Sequence, residues 1–320
     1  MTGMRGAMAI GGHSVAAGTR MRLELPLAKL FSGAPVTLPL LVLHGHDDGP
    51  TVWLSGAVHG NELCGVEIIR QVVGGLDPTQ LAGTVIAAPV VNVFGFNTGD
   101  RYLPDRRDLN RSFPGSPRGS LAARVAHLLM TEVVGRCSVG IDLHTGSDHR
   151  INLPQIRADL DDPRVLELAR AFAPPLALHA RTRDGSLRQA ASDAGATVLL
   201  YEGGEAFRFD KTSIAAGTDG VRRVLAALDM TGPADPPTAG TVLARSSRWM
   251  RAPRSGVLHI RVDLGSRVQQ GQLIAEIMGP FGTVVARVTA RNAGIVIGYR
   301  QHPLVSQGDA IAHIAEPVDE

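Results

Sequence analysis

Between residues 36 and 230 the sequence alternates apolar, strand-like runs with helix-like segments, and this alternation restricts the fold more than any other feature. The apolar runs lie at 39–44, 51–58, 84–91, 139–144 and 196–202. The helix-like segments lie at 61–74, 120–135, 163–173, 186–194 and 211–229. Several runs are continuously apolar, as expected of strands covered on both faces. The pattern predicts an α/β domain with a largely parallel or mixed central sheet flanked by helices.

The two ends of the chain differ from this middle part. Residues 1–35 are Gly-rich and predict an N-terminal β segment, in which the alternating stretch 20–25 is closed by Pro26. Residues 231–240 hold three prolines and two glycines, so we expect a linker there. Residues 241–320 show short β-like runs between Gly turns and predict a small all-β domain.

The C-terminal part contains an internal repeat. Residues 252–277 and 290–314 each contain a tripeptide with a central Gly, followed by a Gly turn and a final apolar run. This arrangement resembles the biotinyl/lipoyl domains over roughly residues 245–315, and it predicts a barrel-sandwich. In those carriers a hairpin between the halves bears a modified lysine. The hairpin 277–283 has no lysine, which excludes attachment there and leaves a structural, oligomerising or site-covering role.

Composition bounds the possible partners. Hydrophobic residues make up 44% of the 320 residues, enough for a substantial core. A net charge of +2 is too mild to indicate nucleic acid or a membrane surface as a partner. No apolar run suggests a signal peptide or a spanning helix. We therefore expect a soluble, cytoplasmic protein.

A candidate metal site begins where the run 51–58 ends. His59-Gly60-Asn61-Glu62 follows it directly and opens the helix-like segment 61–74. A His and a Glu three residues apart can converge on one ion from the turn and the first helical turn, and Gly60 gives that turn backbone freedom. Imidazole and carboxylate suit zinc, which in catalytic sites has three protein ligands and one open position.

The third ligand is expected from the end of a neighbouring strand. The run 139–144 ends in Asp142-Leu143-His144 and is followed by Thr145-Gly146. His144 can meet the first two ligands there. Asp142 projects to the same face, two residues earlier, and could orient a ligand from behind. His59, Glu62 and His144 are thus the predicted ligands of one zinc ion per chain.

Four motifs together identify a family. They are His59-Gly60-Asn61-Glu62, Asp108-Leu109-Asn110-Arg111, Asp142-Leu143-His144 and Tyr201-Glu202-Gly203-Gly204. In this order, over residues 35–230, they resemble the succinylglutamate desuccinylase/aspartoacylase family of the zinc carboxypeptidase superfamily. The resemblance implies a carboxypeptidase-like mixed sheet flanked by helices and one catalytic zinc bound by His, Glu and His.

The segment between the ligands is a long, charged loop. The family resemblance implies that Asn110 and Arg111 bind a substrate carboxylate, which Arg can hold through two parallel hydrogen bonds. It also implies that Arg101 lies beside the scissile carbonyl and stabilises the developing oxyanion. Arg106 and Arg107 fit a solvated face of the loop instead.

A general base is expected at the end of the run 196–202. Glu202 stands there and matches the family's Glu-x-Gly pattern. It could take a proton from the attacking water and pass it to the leaving nitrogen. Glu205, three residues later, is the alternative and fits better as a solvated residue. His149 is near the site in sequence and either lines it or lies in an exposed loop.

The predicted function is zinc-dependent hydrolysis of the amide bond of an N-acyl amino acid or a related small molecule that bears a carboxylate. A zinc carboxypeptidase acting on small peptides is the first alternative, because its chemistry would be nearly identical. A non-catalytic binding or scaffold protein is the second, although such a protein has no need of Glu202. The apolar C-terminal strands need cover, from the catalytic domain or from a second subunit, and we expect a homo-oligomer.

Overall fold

The computed structural model describes residues 5–318. The first four residues of the predicted N-terminal segment and the last two of the C-terminal region lie outside this range. The strands are Met8–Ile10 (β1), His13–Val15 (β2), Thr19–Lys29 (β3), Pro35–His44 (β4), Asp47–Gly56 (β5), Ala82–Ala88 (β6), Val139–Gly146 (β7), Arg150–Ala158 (β8), Leu176–His179 (β9), Thr197–Glu205 (β10), Val242–Arg251 (β11), Gly256–Ile260 (β12), Arg267–Val268 (β13), Leu273–Met278 (β14), Val284–Thr289 (β15), Gly294–Arg300 (β16), Leu304–Val305 (β17) and Ala310–Pro317 (β18). The α-helices are Cys64–Gly74 (α1), Val93–Thr98 (α2), Leu121–Glu132 (α3), Pro163–Phe172 (α4), Leu187–Asp193 (α5) and Lys211–Ala227 (α6).

Within residues 5–318, twelve strands form one mixed sheet, in the order β13-β16-β18-β11-β9-β8-β10-β7-β5-β6-β4-β3. At its centre β7 lies parallel to both β5 and β10. In contrast, β8 is antiparallel to β10, and β4 is antiparallel to β6. The predicted α/β fold with a mixed sheet is confirmed.

Helices cover both faces of this sheet. Residues of α1, α4 and α6 build one core, and residues of α3 and α5 build the other. Strand β5 contributes side chains to both cores, since Val52 and Leu54 belong to the first core and Trp53 belongs to the second. This alternation is the period of two expected of a strand covered on both sides.

The C-terminal β region is present, and four of its strands, β11, β13, β16 and β18, extend the large sheet. β11 lies parallel to β9, and β16 lies antiparallel to β8. Because β18 pairs with both β11 and β16, and β8 pairs with β9, these five strands close into a ring. The predicted contact of this region with the rest of the chain is therefore made through backbone hydrogen bonds. The boundaries proposed for the separate domains stay a prediction.

The internal repeat corresponds to two matched strand pairs. The first repeat supplies β12 and β14 to a four-stranded sheet, β15-β14-β12-β17, whereas the second supplies β16 and β18 to the large sheet. Each closing strand follows a glycine with positive φ, Gly271 at 81° and Gly308 at 92°. Glycine adopts this conformation at little cost, which explains why both repeats keep a Gly turn.

Several predicted boundaries were wrong. β3 does not end at Pro26 but continues to Lys29. It is an edge strand that pairs with β4 alone in the large sheet, and an edge strand tolerates the missing N–H of proline. Helix α1 begins at Cys64 rather than at residue 61, so Glu62 precedes the helix. The strands β8 and β9 and the helix α2 were not predicted.

Candidate metal centre and active site

The three predicted metal ligands lie together at the ends of adjacent strands. β5 and β7 pair in parallel with Gly56 opposite Leu143, which places His144 beside the loop that leaves β5. One ligand atom from each of His59, Glu62 and His144 lies within 4.8 Å of the others, and all three residues are buried. The loop and the strand end thus meet as the sequence predicts.

Gly60 is required for a different reason from the one predicted. It does not have a positive φ. Instead, a Cβ atom at this position would lie 2.0 Å from the backbone carbon of Gly95 in α2. Only glycine permits this close approach, and the approach holds the loop between the two ligands against α2.

Glu62 lies between the two imidazoles. Its Oε1 is 2.7 Å from Nδ1 of His59, and its Oε2 is 2.7 Å from Nδ1 of His144. Burial by itself would raise the pKa of Glu62, but the charges and hydrogen bonds of the two histidines hold this pKa well below its usual range. The carboxylate is therefore ionised and is available as an oxygen ligand.

The two histidines are affected in the opposite direction. Burial alone would lower the pKa of His144, but Asp142 and Glu62 raise it well above its ordinary value. Burial likewise opposes the charge of His59, and Glu62 and Asp108 raise its pKa. Such a buried group of two imidazoles around a carboxylate holds positive charge, either as protons or as a metal ion.

The remaining ring nitrogens are held by carboxylates outside the group. Nε2 of His144 is 2.8 Å from Oδ2 of Asp142, whose Oδ1 accepts a hydrogen bond of 2.7 Å from the Ser55 hydroxyl. Nε2 of His59 is 3.2 Å from Oδ1 of Asp108 and 2.8 Å from Nη2 of Arg101. Carboxylates in this position fix the ring orientation of metal-binding histidines. Both Nδ1 atoms and the Glu62 carboxylate are thus oriented toward one point, and this donor set fits a divalent metal ion.

Arg101 lies against the same group. Its Nη1 donates to Oε1 of Glu62 at 3.2 Å, and its Nη2 donates to Oδ2 of Asp108 at 3.2 Å. Asp108 therefore contacts both His59 and Arg101, a position that the sequence did not predict. Its membership in the Asp108-Leu109-Asn110-Arg111 motif was the available signal.

Asn110 and Arg111 belong to a short 3-10 turn, Leu109–Arg111. The side-chain oxygen of Asn110 accepts a hydrogen bond of 2.8 Å from the backbone N–H of Leu187, the first residue of α5. This bond fixes the amide and leaves its nitrogen as the group that can meet a ligand. Arg111 is exposed, and its Nη1 contacts the backbone oxygen of Asn110.

Glu202 lies next to His144 in the sheet, because β10 and β7 pair in parallel with these two residues opposite each other. Nδ2 of Asn152, on the strand β8, donates to Oε2 of Glu202 at 2.9 Å. A guanidinium nitrogen of Arg157 lies 4.0 Å from Oε1. These contacts orient the carboxylate without covering it.

Glu205 is placed differently from Glu202. It is the last residue of β10, is 9% exposed, and lies 3.3 Å from the guanidinium Nε of Arg208. The expectation of a solvated residue was therefore wrong. Glu205 is absent from the walls of the cavity described next.

One cavity of about 700 Å³ contains the predicted site residues. All seven of them line it: His59, Glu62, Arg101, Asn110, Arg111, His144 and Glu202. Asn152 and Arg157 also line it, although nothing in the sequence singled them out, because they lie on the unpredicted strand β8. His149 is not part of the lining, and its ring lies 4.8 Å from the ring of His302.

The cavity is strongly basic. Its lining carries the arginines Arg101, Arg111, Arg150, Arg157, Arg181, Arg183, Arg188 and Arg251. Its carboxylates are Glu62, Glu202 and Asp309. Arg188 is buried and donates to the backbone oxygens of Arg157 and Arg181. Burial lowers its pKa to about 10, so it keeps its charge at neutral pH. This lining favours an anionic ligand.

In residues 5–318, no helix combines the length and the apolar character needed to cross a membrane.

Comparison with known proteins identifies relatives that match nearly the whole length of the chain. The succinylglutamate desuccinylase/aspartoacylase catalytic domain model matches residues 48–228. N-alpha-acetyl-L-2,4-diaminobutyric acid deacetylase of Halomonas elongata is 30% identical over 312 residues, 93% of this chain and 91% of that protein. The crystal structure of succinylglutamatedesuccinylase/aspartoacylase from Rhodobacter sphaeroides has a TM-score of 0.83 at 28% identity, covering 94% of this chain and 96% of that one.

A second solved structure supports the same fold. The product-bound ectoine utilization protein EutE (DoeB) from Ruegeria pomeroyi has a TM-score of 0.84 at 24% identity, over 92% of this chain and 95% of that chain. The family model covers more than half of the sequence, and it includes all seven predicted residues of the candidate site. The chain therefore belongs to the succinylglutamate desuccinylase/aspartoacylase family.

Proposed function

We propose that the protein is a zinc-dependent deacylase that hydrolyses the amide bond of an N-acyl amino acid, or of a related small molecule bearing a carboxylate. The observation that carries this proposal is one cavity that contains both the His59, Glu62 and His144 group and the carboxylate of Glu202. The Halomonas elongata relative, which is named as a deacetylase, supports amide hydrolysis.

His59, Glu62 and His144 would hold one zinc ion per chain. Two imidazole nitrogens and one carboxylate oxygen are a common protein ligand set of catalytic zinc. When bound, zinc supplies Lewis acidity to the substrate carbonyl and to the attacking water. The places of the other residues in the cavity support the roles proposed for them here.

Glu202 would act as the general base. It takes a proton from the water that attacks the amide carbon, and Arg101 donates to the oxygen on which negative charge develops. The carbon–nitrogen bond then breaks as Glu202 returns the proton to the leaving nitrogen. The products of this hydrolysis are a carboxylic acid and a free amine. Asn110 and Arg111 would hold the substrate carboxylate during the reaction.

Replacing the base tests these roles. Glu202→Gln should lower kcat by about 100-fold or more, because general-base catalysis contributes that much, and should leave metal content unchanged. Glu205→Gln is the matched control, since this residue lies outside the cavity, and its kcat should stay near that of the parent protein. Full activity in Glu202→Gln would refute the role of Glu202.

The substrate class is tested with a panel of N-acetyl-, N-succinyl- and N-formyl-amino acids beside blocked dipeptides. Release of free amine from the acyl amino acids alone would support the deacylase. Release from the dipeptides alone would favour the carboxypeptidase alternative. N-acetyl-2,4-diaminobutyrate belongs in the panel, because the name of the Halomonas elongata relative specifies it.

We also propose that residues 241–320 fold as a barrel-sandwich, and that the protein acts in the cytoplasm as a homo-oligomer. The matched repeats, whose strands share one apolar core, support the first point. Light scattering on the purified protein would test the oligomeric state, and a mass equal to one chain would contradict it.

A further inference from the structure

The carboxylate of Glu202 is held by side chains of β8, and β8 is held in turn by a strand of the C-terminal region. Over its first residues β8 lies between β10, which carries Glu202, and β16. The two pairings meet at Asn152. This residue lies opposite Gly204 of β10 on one side and opposite Gly298 of β16 on the other. Asn152 therefore connects the strand of the proposed base to the C-terminal region.

The side chain of Asn152 is confined between the base and β16. It is 5% exposed, and its Nδ2 donates to Oε2 of Glu202 at 2.9 Å. A Cβ atom on Gly298 would lie 2.7 Å from Oδ1 of Asn152, so β16 approaches the amide as closely as a glycine permits. Gly298 does not have a positive φ, so this approach, and not the backbone conformation, favours glycine there.

The other oxygen of the carboxylate is connected to β16 as well. Gln155 is fully buried on β8 and is the cross-strand neighbour of Glu202. Its Nε2 donates to the backbone oxygen of Ile297 in β16 at 3.1 Å, and its Oε1 accepts a hydrogen bond of 3.3 Å from Nε of Arg157. The guanidinium of Arg157 lies 4.0 Å from Oε1 of Glu202. Both oxygens of the base thus have neighbours on β8 that contact β16 directly or through one further side chain.

These contacts act on the orientation of a base in an open cavity. Glu202 is partly exposed and lines the cavity, where a free Glu side chain would adopt several rotamers. A general base must lie within about 2.6–3.2 Å of the atom whose proton it takes, so few of these rotamers are productive. A hydrogen bond to an ionised acceptor is stronger than a neutral one. A contact that selects the productive rotamer therefore raises kcat without contributing to substrate binding.

We propose that Asn152 is a positioning residue for the general base, and that β16 sets the position of Asn152 through Gly298. This inference rests on the proposed function, which assigns Glu202 as the base. Asn152 acts through Glu202 and takes no part in the proton transfer. None of the residues 294–300 of β16 lines the cavity. The C-terminal region thus affects the rate of the reaction through a strand that does not reach the substrate.

Gly298→Ala tests the proposal from outside the cavity. The added methyl group should displace the Asn152 amide and lower kcat by about tenfold or more, because a misplacement of about 1 Å can cost about 100-fold. KM and metal content should stay near those of the parent protein. Gly279→Ala in the same region is the matched control, since its Cβ would lie 3.6 Å from Val285, an ordinary contact, and its kcat should not change.

Two double-variant cycles test whether the effect passes through the named residues. In an Asn152→Ala background, Gly298→Ala should have little further effect on kcat, because the amide that it displaces is gone. In a Glu202→Gln background, Asn152→Ala should also cause little further loss, because no base remains to be positioned. Additive losses in either cycle would overturn the proposal. So would an Asn152→Ala protein in which KM rises and kcat is unchanged.

Crystal structures of the parent protein and the variants separate this proposal from the proposed function. The Asn152 amide and the Glu202 carboxylate should move together in Gly298→Ala, and the carboxylate should also move in Asn152→Ala. The second variant decides the question if the first does not fold. If the parent protein hydrolyses no acyl compound, the proposed function fails. A Glu202 carboxylate that keeps its place in the variants overturns the positioning role, whatever the activity.

Discussion

The pKa values of the ionisable residues in the metal-binding group are determined by their neighbours. Glu62 is ionised because two imidazoles face it, and His144 is charged or metal-bound because Asp142 and Glu62 lie on either side of its ring. The grouping of His59, Glu62, Asp142 and His144 could be predicted, since these residues lie at or close to the ends of two apolar strand-like runs. The contacts of Asp108 could not, because they depend on how a long loop folds back over His59.

His313, on the C-terminal strand β18, provides a test of burial. It is 4% exposed, stacks on Trp249 at 4.4 Å, and its Nε2 lies 2.9 Å from the Ser247 hydroxyl. Burial, and then the charge of Arg157, lowers its pKa to about 3. The folded protein therefore keeps this ring neutral in weak acid, whereas the unfolded chain takes up a proton below pH ~6.5.

The stabilising effect of the neutral ring is thus complete above pH ~6.5 and is lost as the pH falls toward 3. Relative to His313→Gln, the parent protein should lose about 2 kcal/mol of unfolding free energy between pH 7 and pH 5. Urea denaturation of both proteins at the two pH values measures this difference. Any packing lost in the variant lowers its unfolding free energy by the same amount at both pH values. The same pH dependence of unfolding free energy in both proteins would therefore contradict the account.

Among the secondary-structure elements, the apolar strands were the easiest to predict. β5, β7 and β10 are covered by helices on one or both faces, and this burial leaves a clear apolar run in the sequence. β8 has no such run, because it mixes polar residues and Pro154 with apolar ones and one of its faces lines the cavity. β9 has four residues and gives too short a pattern to be recognised.

The central strand β7 depends on one small residue. A Cβ atom on Gly140 would lie 2.0 Å from the indole ring of Trp53, which is fully buried on the neighbouring strand β5. Gly140→Ala should therefore destabilise the fold by about 1 to 3 kcal/mol, as overpacking does, and displace the strand that carries His144. Urea denaturation measures the loss. Gly232→Ala is the control, because open space surrounds that position, and equal stability of the two variants would refute the packing argument.

In the molecule as a whole, the C-terminal region extends the large sheet and supplies part of the cavity lining. The sequence predicted that its apolar strands need cover, but it left open whether the catalytic part or a second subunit supplies it. Strand pairing between distant segments decides this, and local patterns carry no information about such pairing. The ring that joins β8 and β9 to β11, β16 and β18 was therefore beyond sequence-based prediction.

Removing the C-terminal strands tests this architecture. A chain ending at residue 235 would leave backbone groups of β8 and β9 without partners and would open one side of the cavity. We expect it to aggregate or to lose amine-releasing activity. Size-exclusion chromatography and kinetics with the panel of acyl amino acids measure both effects. A monomeric truncated protein with unchanged kinetics would show that the C-terminal strands have no role in the site.

The most direct test of the account is the metal content of the purified protein, measured together with amine release from the mixed acyl amino acids. We predict about one zinc per chain, as three protein ligands around a single site imply, and amine release that stops with a chelator and returns with zinc. His59→Ala and His144→Ala should lose metal and activity together. A metal-free protein with full activity, or a protein that binds no metal even after reconstitution, would contradict the central claim.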